Sequence, residues 1–362
     1  MFNSIDVIVG GQFGSESKGR VAAAVAQQRE QEGSTVLGVR VGGPNAGHVV
    51  ISHNDTRHAL RTLPVNLVSA PKSVALIAAG SEIEVEVLQQ EVEALEADGI
   101  DVRSRLLIDE NATILEPRHK WEEFNQGLTG RLGSTGKGIG AARADRIMRR
   151  AKTARDMRST LSKFGTVDNF TQAKLIQDQY AVVIEGTQGY GLGLHTKYYP
   201  KCTSNDTRAI DFLAMAGISP WAVNNPWDLQ VHVVLRMYPI RVAGNSGPLE
   251  DETTWEELGL PEEKTTVTQK VRRVGQWDWD LAIDAVAANG PGAQVALAMA
   301  DQRWPSLANQ DDLLHERIDD QQIGELMGFI DQVEQRTGAR VTSVGTGPKS
   351  TVFLAEYGDW LQ

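Results

Sequence analysis

An apolar run, Ile5 with Val7, Ile8 and Val9, stops at Gly10-Gly11 and gives way to Gln12-Phe13-Gly14-Ser15-Glu16-Ser17-Lys18-Gly19-Arg20. Val21 to Ala26 then reads as the start of a helix. Strand, glycine turn, lysine and helix, in that order, describe a phosphate cradle. The turn exposes backbone N–H groups and the helix start adds the positive end of its dipole. The standard phosphate loop requires Gly-Lys-Ser/Thr, whereas Lys18 stands between Ser17 and Gly19. The stretch shares the physics of that loop without its pattern.

Strand-like runs recur at Val36–Val41, Ser73–Ala79, Ala181–Ile184, Val231–Met237, Gln294–Met299 and Arg340–Val344. Helical patterns lie among them at Val21–Gln31, Val85–Ala97, Ala142–Phe164 and Gln322–Arg336. Apolar strands alternating with helices predict an α/β fold around a mostly parallel central sheet. Motifs scattered from residue 12 to residue 349 draw one site from the whole chain, which predicts a single domain over residues 1–362. A net charge of −11 and a pI near 5.2 argue against a nucleic-acid or anionic-membrane binder. Cys202 is the only cysteine, so neither an internal disulfide nor a cysteine-clustered metal site can form. No apolar run approaches the roughly 18 residues that span a bilayer, and a cytoplasmic location is expected.

The opening stretch resembles the first signature of the adenylosuccinate synthetase family, G-x-Q-W-G-D-E-G-K-G-K, with Ser15 where the family keeps its catalytic aspartate. Gly42-Gly43-Pro44-Asn45-Ala46-Gly47-His48 matches the second signature, G-G-x-N-A-G-H, throughout. Further resemblances follow in order: the glycine-rich stretch from Gly130 to Arg149, Glu185-Gly186-Thr187-Gln188-Gly189, Tyr199 to Ser204, Arg241 to Pro248, Thr265 to Gly275, Leu297 to Asp301, and Ser343 to Lys349. The family fold implied is a P-loop-related α/β domain with helices on both faces of the sheet.

By that resemblance His48, Ser15, Lys18 and Gln188 are the catalytic group, with His48 on the transferred phosphoryl group. Gln12, Ser15, Asn45, Ser134, Thr135, Arg149, Gln188 and Thr203 are expected around the substrate nucleotide. Arg149 would reach the neighbouring subunit's nucleotide, which implies a homodimer. Lys137, Thr266, Val267, Thr268, Lys270 and Arg272 are expected on L-aspartate. Lys137 and Lys270 stand in place of arginines and so lose the bidentate fork. Gly14, Glu16, Ser17, Lys18, Gly19, Gly47, His48, Asp301, Gly345, Gly347 and Pro348 are expected on the nucleoside triphosphate. Mg2+ is the implied cofactor, with Ser15 and the Gly47 carbonyl at the metal.

The departures carry information too. A serine hydroxyl is no base near pH 7, and Met299 replaces the lysine of the guanine-reading L-T-K-x-D. A virus-encoded branch of the family carries serine at this position and uses dGMP. The chain is expected to be a ligase joining L-aspartate to C6 of dGMP, driven by ATP or dATP. An ordinary synthetase acting on IMP with GTP is the alternative within the class, and an inactive nucleotide-binding protein the alternative outside it. Retention of His48, Lys18, Thr135 and Arg272 speaks against the last, because a pure binder needs no positioned acid.

Overall fold

The apolar runs become the strands of one ten-stranded sheet in the computed structural model, which describes residues 1–265 and 269–355. In chain order the strands are β1 Ser4–Gly10, β2 Val36–Arg40, β3 Val74–Ile77, β4 Leu106–Asp109 and β5 Thr166–Asp168. They continue with β6 Ala181–Glu185, β7 Leu229–Arg236, β8 Ala293–Ala298, β9 Val341–Gly345 and β10 Thr351–Phe353. Their order across the sheet is β10-β9-β8-β7-β1-β6-β2-β3-β4-β5. Only the β9–β10 pairing is antiparallel.

β1 is thus the hub, hydrogen-bonded to β6 on one side and β7 on the other. Both its faces are buried, which is why its sequence is apolar without alternation except at Asp6, a buried carboxylate paired with Arg29 and His232. Val7 and Val9 join one apolar cluster with Val39, Val182, Ile184, Val233, Leu235 and Leu297. Ile8 joins the other with Val36, Ala75, Ile77, Val183 and Val234. Period-two alternation sends neighbouring side chains to opposite faces, and helices cover both. α1 (Lys18–Gln31) and α2 (Val85–Ala97) pack on the Ile8 face through Val21, Val25, Leu88 and Val92. Helices Ala209–Ala216, Trp279–Asn289 and Asp320–Thr337 pack on the other through Phe212, Ala285 and Phe329.

The helix expected over Ala142–Phe164 is broken. α3 (Pro117–Asn125) is followed by α4 (Ile139–Ile147), which ends before Arg149 takes a left-handed φ of 60°. Thr153 and Asp156 then cap a separate 3-10 turn at Ala154–Met157. No helix among the described residues is long and apolar enough to cross a membrane.

Parallel strands bring their carboxyl ends to one edge, and in open α/β sheets ligands bind there. Here that edge carries Gly10, Arg40, Glu185 and Arg236 at the ends of β1, β2, β6 and β7.

Candidate active site

The glycine loop between β1 and α1 turns sharply because Gly14, Ser15 and Ser17 adopt φ of 89°, 59° and 66°. Among the described residues, six of the ten non-glycine residues with positive φ (Ser15, Ser17, Arg149, Gln188, Gln269 and Met299) fall in the motifs singled out above. Such strain persists where the surroundings impose it and clusters at functional sites. The loop's amides converge inward. Gln12 and Gly14 donate to Glu16 Oε1 at 3.2 and 2.7 Å, and Lys18 Nζ lies 2.5 Å from Glu16 Oε2. Glu16 and Lys18 are both buried, so the Glu16 side chain braces the cradle from beneath. Gly189 must be glycine for the same reason, since a Cβ there would lie 2.3 Å from Glu16 Oε1.

Gln12 is committed to Arg236: its Nε2 donates to the Arg236 carbonyl and its Oε1 accepts from the Arg236 N–H, each at 3.0 Å. Ser15, by contrast, presents its hydroxyl to the open cleft, where Arg272 Nη1 donates to Oγ at 2.5 Å. Burial lowers the Arg272 pKa, with Glu263 opposing the shift.

His48 sits beside the cradle, held by charges on the ends of β2 and β6. Its Nδ1 lies 2.6 Å from Arg40 Nη1 and 2.8 Å from Glu185 Oε2. Arg40 also donates to Glu185 Oε2 at 3.2 Å and to the Ala46 carbonyl at 2.9 Å. Burial, then the Arg40 and Lys18 charges, hold the imidazole well below its usual pKa. Burial pushes Glu185 up to about 7 against the pull of Arg40 and the Val65 amide. A guanidinium can only donate, so Nδ1 accepts from Arg40 and the ring proton sits on Nε2. Asn45 is half-buried nearby, and Gly47 is exposed.

The stretch from residue 130 to 149 wraps over a second carboxylate. Glu123, buried on α3, accepts from Gly138 and Gly140 amides at 2.9 and 3.2 Å and from Ser134 Oγ at 3.3 Å. It caps the start of α4 from outside the helix. Thr135 is exposed and Lys137 half-buried, its ammonium pKa lowered by burial and then by Arg61 and Lys120. Lys201 Nζ ties this loop to its neighbours through the carbonyls of Arg131 and Asn245, at 2.6 and 2.8 Å. Thr203 lies on the adjoining turn, and Gln188, half-buried with φ of 64°, ends the segment after β6. Arg149 is exposed at the far end.

At the third corner Gly345 lies against the end of β8: a Cβ there would be 3.5 Å from the Leu297 carbonyl oxygen and the Ala298 Cα. Asp301 follows, its carboxyl raised by burial, and Gly347 and Pro348 continue the loop. Lys270 is exposed, while Thr266, Val267 and Thr268 lie outside the described residues. The residues that motif reading left out are Arg40, Glu123, Arg236 and Glu263. Arg40 and Arg236 carried a legible signal, since a charge inside an apolar strand run must be buried and paired.

The adenylosuccinate synthetase family model matches residues 7–172 and 152–302. The adenylosuccinate synthetase of Methanococcus aeolicus is 34% identical over 347 residues, covering 95% of this chain and 96% of that protein. That of Pyrococcus horikoshii is 35% identical with the same coverage, 95% and 96%. Among solved structures, the cyanophage S-2L succinoaminodeoxyadenylate synthetase bound to dGMP and dATP superposes with a TM-score of 0.79. It is 29% identical, over 98% of this chain and 96% of that one. The fully ligated Plasmodium falciparum adenylosuccinate synthetase, 19% identical, shares the fold with a TM-score of 0.72, over 97% and 99% of the two chains. The chain belongs to the adenylosuccinate synthetase family, carbon–nitrogen ligases that act on a purine nucleotide and aspartate.

Proposed function

We propose that this ligase condenses L-aspartate with C6 of dGMP, using ATP or dATP, to give N6-succino-2-amino-deoxyadenylate. The observation that carries the reading is Ser15: a short neutral side chain, facing the cleft, at the position of the family's aspartate. It leaves room beside purine C2 for the 2-amino group, and the similarity to the phage enzyme bound to dGMP and dATP supports the same choice.

In this reading the purine O6 attacks the γ-phosphorus as N1 loses its proton to a carboxylate of the L-aspartate substrate, and the nucleoside diphosphate leaves. The aspartate amino group then adds at C6, breaking the C6–O6 bond and releasing inorganic phosphate. Ser15 Oγ already accepts from Arg272, so its own proton is available to donate, and it orients the base without deprotonating it. His48, with its proton on Nε2, donates to the phosphoryl oxygens, and Arg40 and Glu185 hold the ring in place. Lys18 is a buried cation beneath the cradle, where low dielectric strengthens its pull on developing charge. Arg272 takes an aspartate carboxylate, assisted by Lys137 and Lys270. Thr135, Thr203 and, from the second subunit of a homodimer, Arg149 take the 5′-phosphate.

The protein donors available to Mg2+ are the Ser15 hydroxyl and the Gly47 carbonyl. No group of three or more acidic, His or Cys side chains among the described residues could hold a metal. This set suits a hard cation that arrives on the triphosphate and keeps most of its ligands from phosphate and water. There it would neutralise phosphate charge during transfer.

Purified protein given L-aspartate, magnesium and ATP, with dGMP, GMP or IMP in separate reactions, tests the reading. A succinylated product from dGMP alone is expected. Turnover of IMP alone would overturn it.

A further inference from the structure

Arg236, fully buried at the end of β7, belongs to none of the roles above, yet it grips two substrate-side segments at once. Its Nη1 donates to the Ser15 carbonyl at 3.2 Å and to Glu263 Oε2 at 3.2 Å, and Nη2 donates to Glu263 Oε1 at 2.5 Å. The Glu263 carbonyl in turn accepts the Arg272 amide at 2.8 Å. Arg272 then returns to Ser15, donating from Nη1 to Oγ at 2.5 Å. The contacts close a ring: Ser15 Oγ, Arg272, Glu263, Arg236, Ser15 carbonyl. Gln302, next to Asp301, steadies the ring from the side by donating to Glu263 Oε1 at 3.2 Å.

Packing alone does not call for this ion pair. Arg236 is buried and Glu263 only partly so, and replacing such a pair by apolar groups is often neutral or stabilising, so stability alone does not account for it. The geometry defined here is that of Ser15 relative to Arg272. Both ends of the Ser15 residue are held, its hydroxyl directly and its carbonyl through Arg236, while its backbone stays left-handed at φ 59°. A displacement of Arg272 therefore reaches Ser15 by two routes.

We propose that Arg236 and Glu263 are positioning residues, which couple the aspartate end of the cleft to its purine end through this ring. The proposal rests on the functional reading above, in which Arg272 meets aspartate and Ser15 meets the purine. A carboxylate that engages Arg272 sets the Ser15 hydroxyl for the purine, and a purine on Ser15 sets Arg272 for the carboxylate. Such coupling is reciprocal by thermodynamic necessity.

The test is calorimetric titration of the full chain with dGMP, with and without saturating L-aspartate, for the unaltered protein and Glu263→Gln. The unaltered protein should bind dGMP more tightly with aspartate present, by a factor within the usual coupling range of about 5 to 150. In Glu263→Gln that factor should fall to about 1, because the amide keeps the shape and loses the charge that holds Arg236. A merely structural role would shift both dissociation constants together and leave their ratio alone. A ratio unchanged in Glu263→Gln, or no coupling in the unaltered protein, overturns the proposal while dGMP binding itself upholds the functional reading. Absence of any dGMP binding to the unaltered protein overturns that reading, and the ring's role with it. If Glu263→Gln does not fold, Arg236→Lys carries the test with the same expectation, since lysine keeps the charge but loses the fork that bridges Ser15 and Glu263.

Discussion

Gly19 and His48 are in direct contact: a Cβ on Gly19 would lie 2.5 Å from the His48 Cβ. The first turn of α1 can approach the imidazole only because that position has no side chain. The helix start is thereby locked to the residue proposed to touch the phosphoryl group.

Gly19→Ala is therefore expected to lose activity. In an open helix the change would gain about 1 kcal/mol from propensity. Overpacking against His48 should instead cost about 1–3 kcal/mol, and a displacement near 1 Å at the reacting group about 100-fold in kcat. Urea unfolding and steady-state kinetics on the same preparation check both halves.

Activity and stability should both decline as pH rises through about 7, the value to which burial pushes Glu185. A raised folded-state pKa means the folded protein keeps a proton that the unfolded chain releases near 4.5. The associated stability is full below that value and is lost as pH climbs through about 7. Once ionised, Glu185 sets an acceptor beside His48 Nδ1 in competition with the Arg40 donor, which loosens the hold on the ring. Glu185→Gln should flatten the alkaline limb of the kcat profile and of the thermal midpoint. An unchanged limb in the variant would remove Glu185 from this role.

Ser15→Asp should shift base preference. Aspartate tolerates the left-handed conformation held at position 15. Its carboxylate would pair with Arg272, whose Nη1 already lies 2.5 Å from Oγ. Turnover of IMP should rise and turnover of dGMP fall, each by about tenfold or more, within the range that pocket contacts supply. Parallel kcat/KM measurements on the two nucleotides decide it.

Exposed apolar residues bear on the homodimer proposed above. On α3, Trp121 and Phe124 are 66% and 79% exposed, and at the end of α4, Ile147 and Met148 are 72% and 65% exposed, beside Arg149. α3 packs against α4, and contiguous apolar exposure marks interaction sites. Unaltered protein should sediment as the proposed dimer, and Phe124→Glu combined with Met148→Glu as a monomer. It should also raise the KM for the mononucleotide about tenfold or more, as loss of one charged phosphate contact costs about 1.5–3 kcal/mol.

The centre of the fold was readable because its strands are buried on both faces, and an apolar run has no other stable place. Leu106–Asp109, Thr166–Asp168 and Thr351–Phe353 were not, being three- or four-residue strands toward the sheet edges. The helix over Ala142–Phe164 was misread because its break falls at Arg149, a residue that rarely takes the left-handed C-terminal position glycine favours. In the site, glycine signatures located the loops and named Ser15, His48 and Arg272. Arg236 was legible only as a charge that must be paired, while its partners Ser15 and Glu263 lie elsewhere in sequence and only the folded chain brings them together.

β1 has consequences for how the protein is made. Its two neighbours in the sheet begin at Ala181 and Leu229, far along the chain from Gly10. Until Glu185 has been made its backbone has neither native partner, and pairing so distant in sequence is slow. The nascent chain must keep a largely apolar strand from joining other chains until residue 236 is available. Fragments that stop before Leu229 should aggregate, and the glycine loop that β1 carries takes its final shape only when Arg236 arrives to hold Gln12 and Ser15.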